Sequence, residues 1–378
     1  GLTSSGSVPQ FEASAGGLLD LHALVQVPDG SVQFIASDPG SEIVLSALTT
    51  LTTSFSSSLE AHNGGMVVCP LVTIVSGNLT LVLDGAASSI NTAQLRDIDG
   101  VTVYARNGAT LDLSGVTTFS PQIPSLPDVE VSGNGSAINL SNLTEMHGPQ
   151  NGSTAQFAAL AGGRLDLHQL ARIPDGSVQF VATGANSQID ASGLATFAVT
   201  GFGTGFLSVV QATDGGSIDL GSGTTTLSNV EVTLSPSGTL TAGTLVLASG
   251  SQLDGSGTLT GNLTNGGVVA PGTHDVTGVI TVSGNYVQTA AGTLNVGFDD
   301  TGTAVSVDQL IVGGSATLAG TLDLSLLGGF KPSPGNTFTI VSFAFANGTF
   351  ASVSGTDAGN GHTFAVSYGP LEVKLQVE

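Results

Sequence analysis

Short segments in which apolar and polar residues alternate run along the chain, and turns rich in glycine and other small residues separate them. The pattern is clear in VQFIASDPGSEIVLSAL (32–48), VTVYARNGATLDLSGV (101–116) and VQFVATGANSQIDASGL (178–194). A period of two places successive side chains on opposite faces of a strand, so one face of each segment is apolar. Because convincing helical periodicity is missing, the chain is predicted to be all-β.

One long sequence unit occurs twice, at a constant offset of 146 residues. AGGLLDLHAL (15–24) returns as AGGRLDLHQL (161–170), and PDGSVQF occupies both 28–34 and 174–180. A constant offset over this length indicates a duplication inside the chain.

A shorter period runs inside each copy. Apolar anchors recur 23, 23, 28 and 26 residues apart in the pairs Phe11 and Phe34, Phe157 and Phe180, Val103 and Val131, and Val131 and Phe157. A unit of this size with two or three short strands cannot bury its apolar face alone, whereas stacked units bury it in a shared core. The spacing therefore predicts a parallel β-helix, or β-solenoid, in which each period forms one coil.

The last third of the chain has a tighter pattern of short strands and glycines. We predict a β-solenoid over residues 1–250, which contains the duplication, and a C-terminal β-rich module over residues 251–378. Aromatic residues concentrate there, at Phe298, Phe330, Phe338, Phe343, Phe345, Phe350 and Phe364. Because an open last coil is a template for edge pairing, these aromatic residues favour a cap or a sandwich-like module over a continued solenoid.

Four motifs of this C-terminal third carry a resemblance to a known family: GTLTGNLTNGGVVAPG (257–272), SGNYVQTAAGTLNV (283–296), VDQLIVGGSATLAGTLDLSL (307–326) and FTIVSF…NGTFASV (338–353). In these motifs the chain resembles bacterial autotransporter-type and related surface-exposed, adhesin-like parallel β-helix proteins. The resemblance covers about a third of the chain. It implies a right-handed parallel β-helix, export from the cell and attachment to a surface.

The charge balance restricts the partners. Six lysines and arginines stand against 28 acidic residues, which gives a net charge of −22. Nucleic acids and anionic membranes need clustered cations, so neither is predicted as a partner. No apolar run reaches the length of a membrane-spanning helix, and we expect no membrane insertion. The opening GLTSSGSVPQ lacks a basic and an apolar segment, and we interpret the chain as an exported product whose targeting signal has been removed.

The motif Asp20-Leu21-His22 returns as Asp166-Leu167-His168. The spacing puts the carboxylate and the imidazole on one face of a strand, which suits a metal ion or an acid–base pair. In similar strands the histidine position holds Ser114 or Gly221. Because the motif is duplicated with its surroundings and its histidine is replaceable, we favour a repeated piece of surface scaffold.

Clustered carboxylates are the next candidate chemistry, since glycosidases use a carboxyl pair. Five aspartates would line one face if the coils stack in register: Asp20, Asp112, Asp166, Asp190 and Asp219. The chain has only four arginines, and an acidic groove without cations binds an anionic polysaccharide poorly. We therefore predict no enzyme and no catalytic residue. A polysaccharide-acting β-helix enzyme stays an alternative, and so does a carbohydrate-binding adhesin, although the chain has no tryptophan and three tyrosines.

The metal-binding signals are weak. Asp299, Asp300 and Asp308 could bind Ca²⁺ as a loop site, but a solvated turn is the favoured interpretation and no cofactor is predicted. Two threonine-rich runs, LTTLTTSF (48–55) and GTTTLSN (223–229), lie at different positions in their repeats. Such runs form no regular array and do not predict an ice-binding rod.

The sequence therefore predicts an extracellular or cell-surface structural protein. It is predicted to be a β-solenoid subunit of a bacterial filament, surface layer or adhesin that acts by assembly and contact. Its expected partners are copies of itself, joined head to tail, or a cell-surface glycan.

Overall fold

The computed structural model describes residues 8–28, 30–121, 128–199, 208–273, 275–300 and 305–378, without the side chains of Ser54, Phe55 and Asp300. These residues form strands and turns and no helix, which confirms the all-β prediction. Among them there is accordingly no helix that is long and apolar enough to cross a membrane. The chain divides into two compact units. Unit 1 is Gly1–Leu194 with Val199–Ser208, and unit 2 is Ala195–Ala198 with Val209–Glu378.

The first twenty strands belong to unit 1. They are β1 (Gln10–Ala13), β2 (Leu18–Asp20), β3 (Gln26–Val27), β4 (Gln33–Ser37), β5 (Glu42–Val44), β6 (Thr50–His62), β7 (Met66–Val68), β8 (Ile74–Asp84), β9 (Ser89–Ile90), β10 (Val101–Arg106), β11 (Thr110–Asp112), β12 (Thr118–Phe119), β13 (Val129–Ser132), β14 (Ala137–Asn139), β15 (Glu145–Met146), β16 (Ala155–Leu160), β17 (Arg164–Asp166), β18 (Arg172–Ile173), β19 (Val178–Thr183) and β20 (Gln188–Asp190).

Parallel ladders run through unit 1, with one strand from each coil. The longest ladder is β1–β4–β6–β8–β10–β13–β16–β19. Shorter ladders, β2–β5–β7–β9 and β11–β14–β17–β20, form another side of the coils. Stacked parallel coils of this kind confirm the predicted β-solenoid.

Phenylalanines mark the register of the two duplicated copies. Phe11 pairs with Phe34 in the first copy and Phe157 pairs with Phe180 in the second, as the 23-residue spacing predicts. The ring centroids lie 5.4 Å apart in the first pair and 5.9 Å apart in the second. Phe34, Phe157 and Phe180 are fully buried, so these stacked rings form the centre of the apolar core.

One predicted register is wrong. Val103 pairs with Val129 and not with Val131, and Val129 then pairs with Phe157. The two steps are therefore 26 and 28 residues long, the reverse of the predicted order. A shift of two residues leaves the same side chains on the core face, which is why the alternation alone did not distinguish the two registers.

The remaining strands are β21 (Thr196–Ala198), β22 (Ser208–Thr213), β23 (Ser217–Asp219), β24 (Thr224–Ser228), β25 (Val230–Leu234), β26 (Thr239–Leu247), β27 (Gln252–Gly255), β28 (Gly257–Asn265), β29 (Val268–Pro271), β30 (Val279–Val282), β31 (Tyr286–Gln288), β32 (Thr293–Asp300), β33 (Val305–Val307), β34 (Gln309–Val312), β35 (Ser315–Leu318), β36 (Thr321–Leu326), β37 (Thr337–Ser342), β38 (Phe345–Gly348), β39 (Ser352–Ser354), β40 (Asp357–Gly359), β41 (His362–Tyr368) and β42 (Glu372–Val377).

Unit 2 continues with parallel ladders on both sides of residue 250. One side is β25–β27–β29–β32–β36–β39. A second is β23–β26–β28–β30–β34–β37, and a third is β21–β24–β26–β28–β31–β35–β38. Strands β26 and β28 each contribute to two sides, with a register shift between Thr241 and Thr244.

The pairing becomes antiparallel at the C-terminus. Strand β42 pairs with β37 on one side and with β41 on the other, and β40 pairs with β41. Phe298 stacks on Phe364 at 4.8 Å and meets the edge of Phe338 at 5.2 Å. Phe298, Phe338 and Phe364 thus pack together beside these antiparallel strands, whereas Phe345 is 63% exposed. The division of the chain at residue 250 stays a prediction.

A polar cluster lies inside the core of unit 2. Asn265, Tyr286 and Gln288 are each at most 1% exposed. The Tyr286 hydroxyl donates to Gln288 Oε1 at 2.6 Å and accepts from Asn265 Nδ2 at 3.2 Å. Gln288 Nε2 donates to the carbonyl oxygens of Ala319 at 2.9 Å and Thr321 at 2.8 Å. The amide therefore ties its own coil to the next one.

Replacing this amide tests the role of the cluster. In Gln288→Leu the Tyr286 hydroxyl and the carbonyls of Ala319 and Thr321 lose their partner while they stay buried, so we expect a loss of about 3 kcal/mol in the free energy of unfolding. Urea unfolding followed by circular dichroism measures the change. The half-exposed neighbour Thr289 provides the control, since Thr289→Ser should unfold at the wild-type midpoint. Equal midpoints for both variants would contradict the assignment.

Candidate functional site

The duplicated Asp-X-His motifs have the same geometry in both copies. The backbone N–H of His22 donates to Asp20 Oδ1 at 3.0 Å, and His22 Nδ1 lies 2.8 Å from the same oxygen. His168 makes the same two contacts with Asp166, at 3.0 and 2.8 Å. The hydrogen bond from the His22 backbone is the main reason that the pKa of Asp20 is lowered. The carboxylate thus closes the turn that follows its strand.

Other coils close the same turn without a histidine. The carboxylate or amide oxygen of each strand-end residue accepts the N–H two residues further on, in the pairs Asp112 and Ser114, Asn139 and Ser141, Asp190 and Ser192, and Asp219 and Gly221. An Asx turn of this kind needs a side-chain oxygen at its first position and no particular residue at its third. The recurrence of the aspartate is therefore explained by chain geometry.

The two positions of the motif should respond differently to substitution. Asp166→Ala removes the acceptor of the turn and should lower the free energy of unfolding by about 1 kcal/mol. His168→Ser places in the turn the residue that Ser114 supplies in another coil, and it should cost less than about 0.5 kcal/mol. Urea unfolding of the two variants gives the comparison, and a larger loss for His168→Ser would show that the histidine has a role of its own.

The predicted row of aspartates is only partly formed. Asp112, Asn139, Asp166 and Asp190 lie in register along β11, β14, β17 and β20. Asp20 has Val44 as its neighbour in a different ladder. Asp219 belongs to unit 2.

This row borders a shallow groove of about 390 Å³. The groove is lined by Arg164, Gln188 and the row members Asn139, Asp166 and Asp190. It offers hydrogen-bond donors and acceptors to solvent. Its carboxylates already accept backbone hydrogen bonds in the turns, so these polar groups stabilise the coils.

A charged cluster of unit 1 was not predicted. His147 Nε2 lies 2.8 Å from Glu145 Oε1, and His147 Nδ1 lies 2.9 Å from Asp175 Oδ1. Arg172 Nε donates to Glu145 Oε2 at 2.7 Å. The hydrogen bond with Asp175 is the main reason that the pKa of His147 is raised, and the one from Arg172 is the main reason that the pKa of Glu145 is lowered. Both ring nitrogens face carboxylates, so the imidazolium joins two coils as an ionic brace.

A similar charged group lies in earlier coils of unit 1. His62 Nε2 is 2.8 Å from Glu60 Oε2, and Arg106 Nε donates to Glu130 Oε1 at 2.9 Å. The Arg106 guanidinium also lies 4.1 Å from the ring centre of Tyr104. The sequence signal for both groups is Glu-X-His, at 60–62 and 145–147, because residues two apart share one face of a strand. The remaining charged residues of each group come from other coils, and the local sequence does not indicate them.

The brace at His147 should depend on pH in a defined direction. A histidine whose pKa is raised on folding stabilises the protein fully below its unfolded value, about 6.5, and loses this contribution as the pH rises through the folded value. We therefore expect the destabilisation caused by His147→Gln to be largest near pH 5.5 and to vanish at alkaline pH. Urea midpoints across this range measure it. Asp175→Asn should lower the His147 pKa in an NMR titration, and an unchanged pKa would contradict the ion pair.

The weak metal candidates are not assembled into a site by the described residues. Asp299 pairs with Ser306 in the β32–β33 hairpin. The side chain of Asp300 lies outside the described residues. Asp308 is 5% exposed and accepts the N–H groups of Gly278 and Gly297, each at 2.7 Å. Within the described part of the chain, no three His, Cys, Asp or Glu side chains are placed to hold a metal ion.

An acidic groove of about 540 Å³ lies on one side of unit 2. Its lining includes Asp254, Asn295, Asp308 and Asp323. Burial is the main reason that the pKa of Asp308 is raised to about 7. Asp254 Oδ1 and Asn295 Oδ1 are buried and have no hydrogen-bond partner among the described residues. Among the described residues, no cation lines this groove, which disfavours recognition of an anionic polysaccharide by that part of the chain.

The single thiol of the chain is unreactive. Cys69 is 1% exposed, and burial is the main reason that its pKa is raised to about 12. A thiol that stays protonated is a poor nucleophile and a poor metal ligand.

No family model matches this chain, and no curated protein matches its sequence. We therefore infer the function from the geometry of the chain itself. That geometry consists of turn-closing carboxylates, ionic braces between coils, a buried polar cluster and an acidic groove.

Proposed function

We propose that this chain is an extracellular structural protein, a β-solenoid subunit of a bacterial surface filament, surface layer or adhesin, and that it acts by assembly and contact. The observation that carries the proposal is the open edge of the first coil. Among the described residues, β1, β2 and β3 are paired on one side only, with β4, β5 and β6. An unpaired strand edge is a template for another chain.

The apolar residues of this first coil are incompletely covered. Half-buried positions are Phe11, Leu19, Leu21, Leu24 and Val27. Their counterparts in the second coil are fully buried: Phe34, Ile43, Leu45, Leu48 and Leu51. A further coil placed on the open edge would remove this apolar surface from water, which favours association.

The occupant that we propose is a second copy, through its last coil. There β38 and β39 are paired on one side only among the described residues, whereas β37 is covered by β42. Unpaired strand edges on both the first and the last coil favour head-to-tail contact.

A proline in β1 tests this contact. The N–H of Gln33 donates to the carbonyl of Pro9, so residue 9 faces the second coil, and the alternation of a parallel strand turns the backbone of Glu12 towards the open edge. Glu12→Pro should therefore leave the β1–β4 pairing intact and remove a donor from the edge. We expect purified wild-type protein to form concentration-dependent end-to-end oligomers, visible by negative-stain electron microscopy and sedimentation velocity, and the variant to stay monomeric.

Glu12→Gln is the matched control, because it removes the charge and keeps the N–H. It should assemble as the wild type does. Wild-type protein that stays monomeric at every concentration would refute the proposal, and so would a Glu12→Pro variant that assembles normally.

A further inference from the structure

Outward-facing threonines from three successive coils of unit 2 stack in register. Thr239 pairs with Thr258, and Thr258 with Thr281, while Thr241 pairs with Thr260. Thr239 and Thr241 are two residues apart in one strand, as are Thr258 and Thr260, so all five side chains share one face. We call these five residues the threonine grid. Its spacing is about 4.8 Å between coils and about 6.7 Å along each strand.

A second column of β-branched residues runs along the neighbouring side of the same unit. It passes through Thr196, Thr226, Val246, Thr264, Val287 and Thr317, each paired with the next. Threonine and valine side chains have the same shape. The column therefore keeps a constant width where a methyl group of valine takes the place of a threonine hydroxyl. Strands β26 and β28 carry both the grid and part of this column.

The bend between the two sets of columns requires glycine. Gly261 has a φ of +131°, and a Cβ there would lie 1.6 Å from the carbonyl oxygen of Ala242. A Cβ at Gly243 would lie 1.9 Å from the carbonyl oxygen of Ser222. Both strands therefore pass tightly against the coil below, which holds the threonines of successive coils at a fixed separation.

The hydroxyls of the grid are free to bind outside the protein. Within the part of the chain that the structure describes, none of the five hydroxyls has a hydrogen-bond partner. Thr260 is exposed, and the other four are half-buried by their neighbours in the array. The grid thus presents threonine side chains at positions that the pairing of the strands determines.

Charge is distributed unevenly between the sides of unit 2. Glu231, Asp254 and Asp323 lie on strands of the β25–β27–β29–β32–β36–β39 ladder. The grid itself is uncharged, and one carboxylate, Asp219, stands beside it as the neighbour of Thr241. In a chain with a net charge of −22, this neutral side is suited to an uncharged partner with a regular array of hydrogen-bonding groups.

We propose that the threonine grid binds ice, with the β-branched column on the adjoining side beyond the bend. The oxygen repeat along one axis of hexagonal ice is close to the spacing of stacked coils, so water held by the hydroxyl and methyl groups of successive coils joins the lattice without rearrangement. A nucleic acid or an anionic membrane would need cations, which the grid lacks. A sugar surface would need aromatic platforms, and on these strands Tyr286 points into the core. The inference is independent of the assembly proposed above.

The two threonine-rich runs did not reveal this array. None of the five grid residues belongs to LTTLTTSF (48–55) or GTTTLSN (223–229). The array arises because single threonines in separate strands come into register when the coils stack.

A bulky residue in the grid tests the proposal on the full chain. Thr260→Tyr keeps the exposed position but interrupts the threonine grid, so we expect thermal hysteresis and partition into slowly grown ice to fall several-fold from the wild-type level. Thr110→Tyr is the matched control, because Thr110 is an exposed strand threonine of unit 1. It should keep wild-type activity. Circular dichroism confirms that both variants are folded.

Three results would overturn the inference. These are exclusion of the wild-type protein from ice like an ordinary soluble protein, full activity of Thr260→Tyr, and binding of the wild type to crystalline cellulose or chitin without binding to ice. The edge variant Glu12→Pro separates this proposal from the assembly proposal, since it should lose end-to-end contacts and keep ice binding.

Discussion

In-register parallel pairing between coils is the constraint on which the rest of this molecule depends. A single coil has no partner for its apolar side chains. Once the ladders form, identical or similar residues lie above one another, as in the Phe157–Phe180 pair. The apolar core, the turn geometry and the polar surfaces all repeat with the coil spacing for this reason.

Polar groups are placed where they stabilise that stacking. Aspartates at the strand ends close the turns through their carboxylates, and the Glu145–His147–Asp175 brace joins different coils through charge. Inside unit 2, Gln288 satisfies the carbonyls of the next coil without any charge. Residue types that often indicate catalysis are therefore used here as structural contacts. This use supports a protein that acts through its surfaces and ends.

The two proposed activities use different parts of the solenoid. Assembly uses backbone groups at the open edge of the first coil, where pairing and apolar burial are incomplete. Ice binding uses side chains on a face of unit 2, where the strands are paired with neighbouring coils on both sides. The two surfaces are chemically independent. The edge consists of backbone groups where the pairing of coils stops, whereas the face consists of side chains that paired coils direct towards solvent.

The alternation of apolar and polar residues, the 146-residue duplication and the coil spacing by themselves determined the all-β solenoid and most of its register. They also determined that the Asp166–His168 motif is repeated together with its scaffold. Local sequence did not determine the two-residue shift at Val103, because either register buries the same face. Only the tertiary structure brought Arg172 to Glu145, and Thr258 between Thr239 and Thr281. These contacts join residues about one coil apart, and their partners depend on the length of every turn between them, which a period-two pattern does not encode.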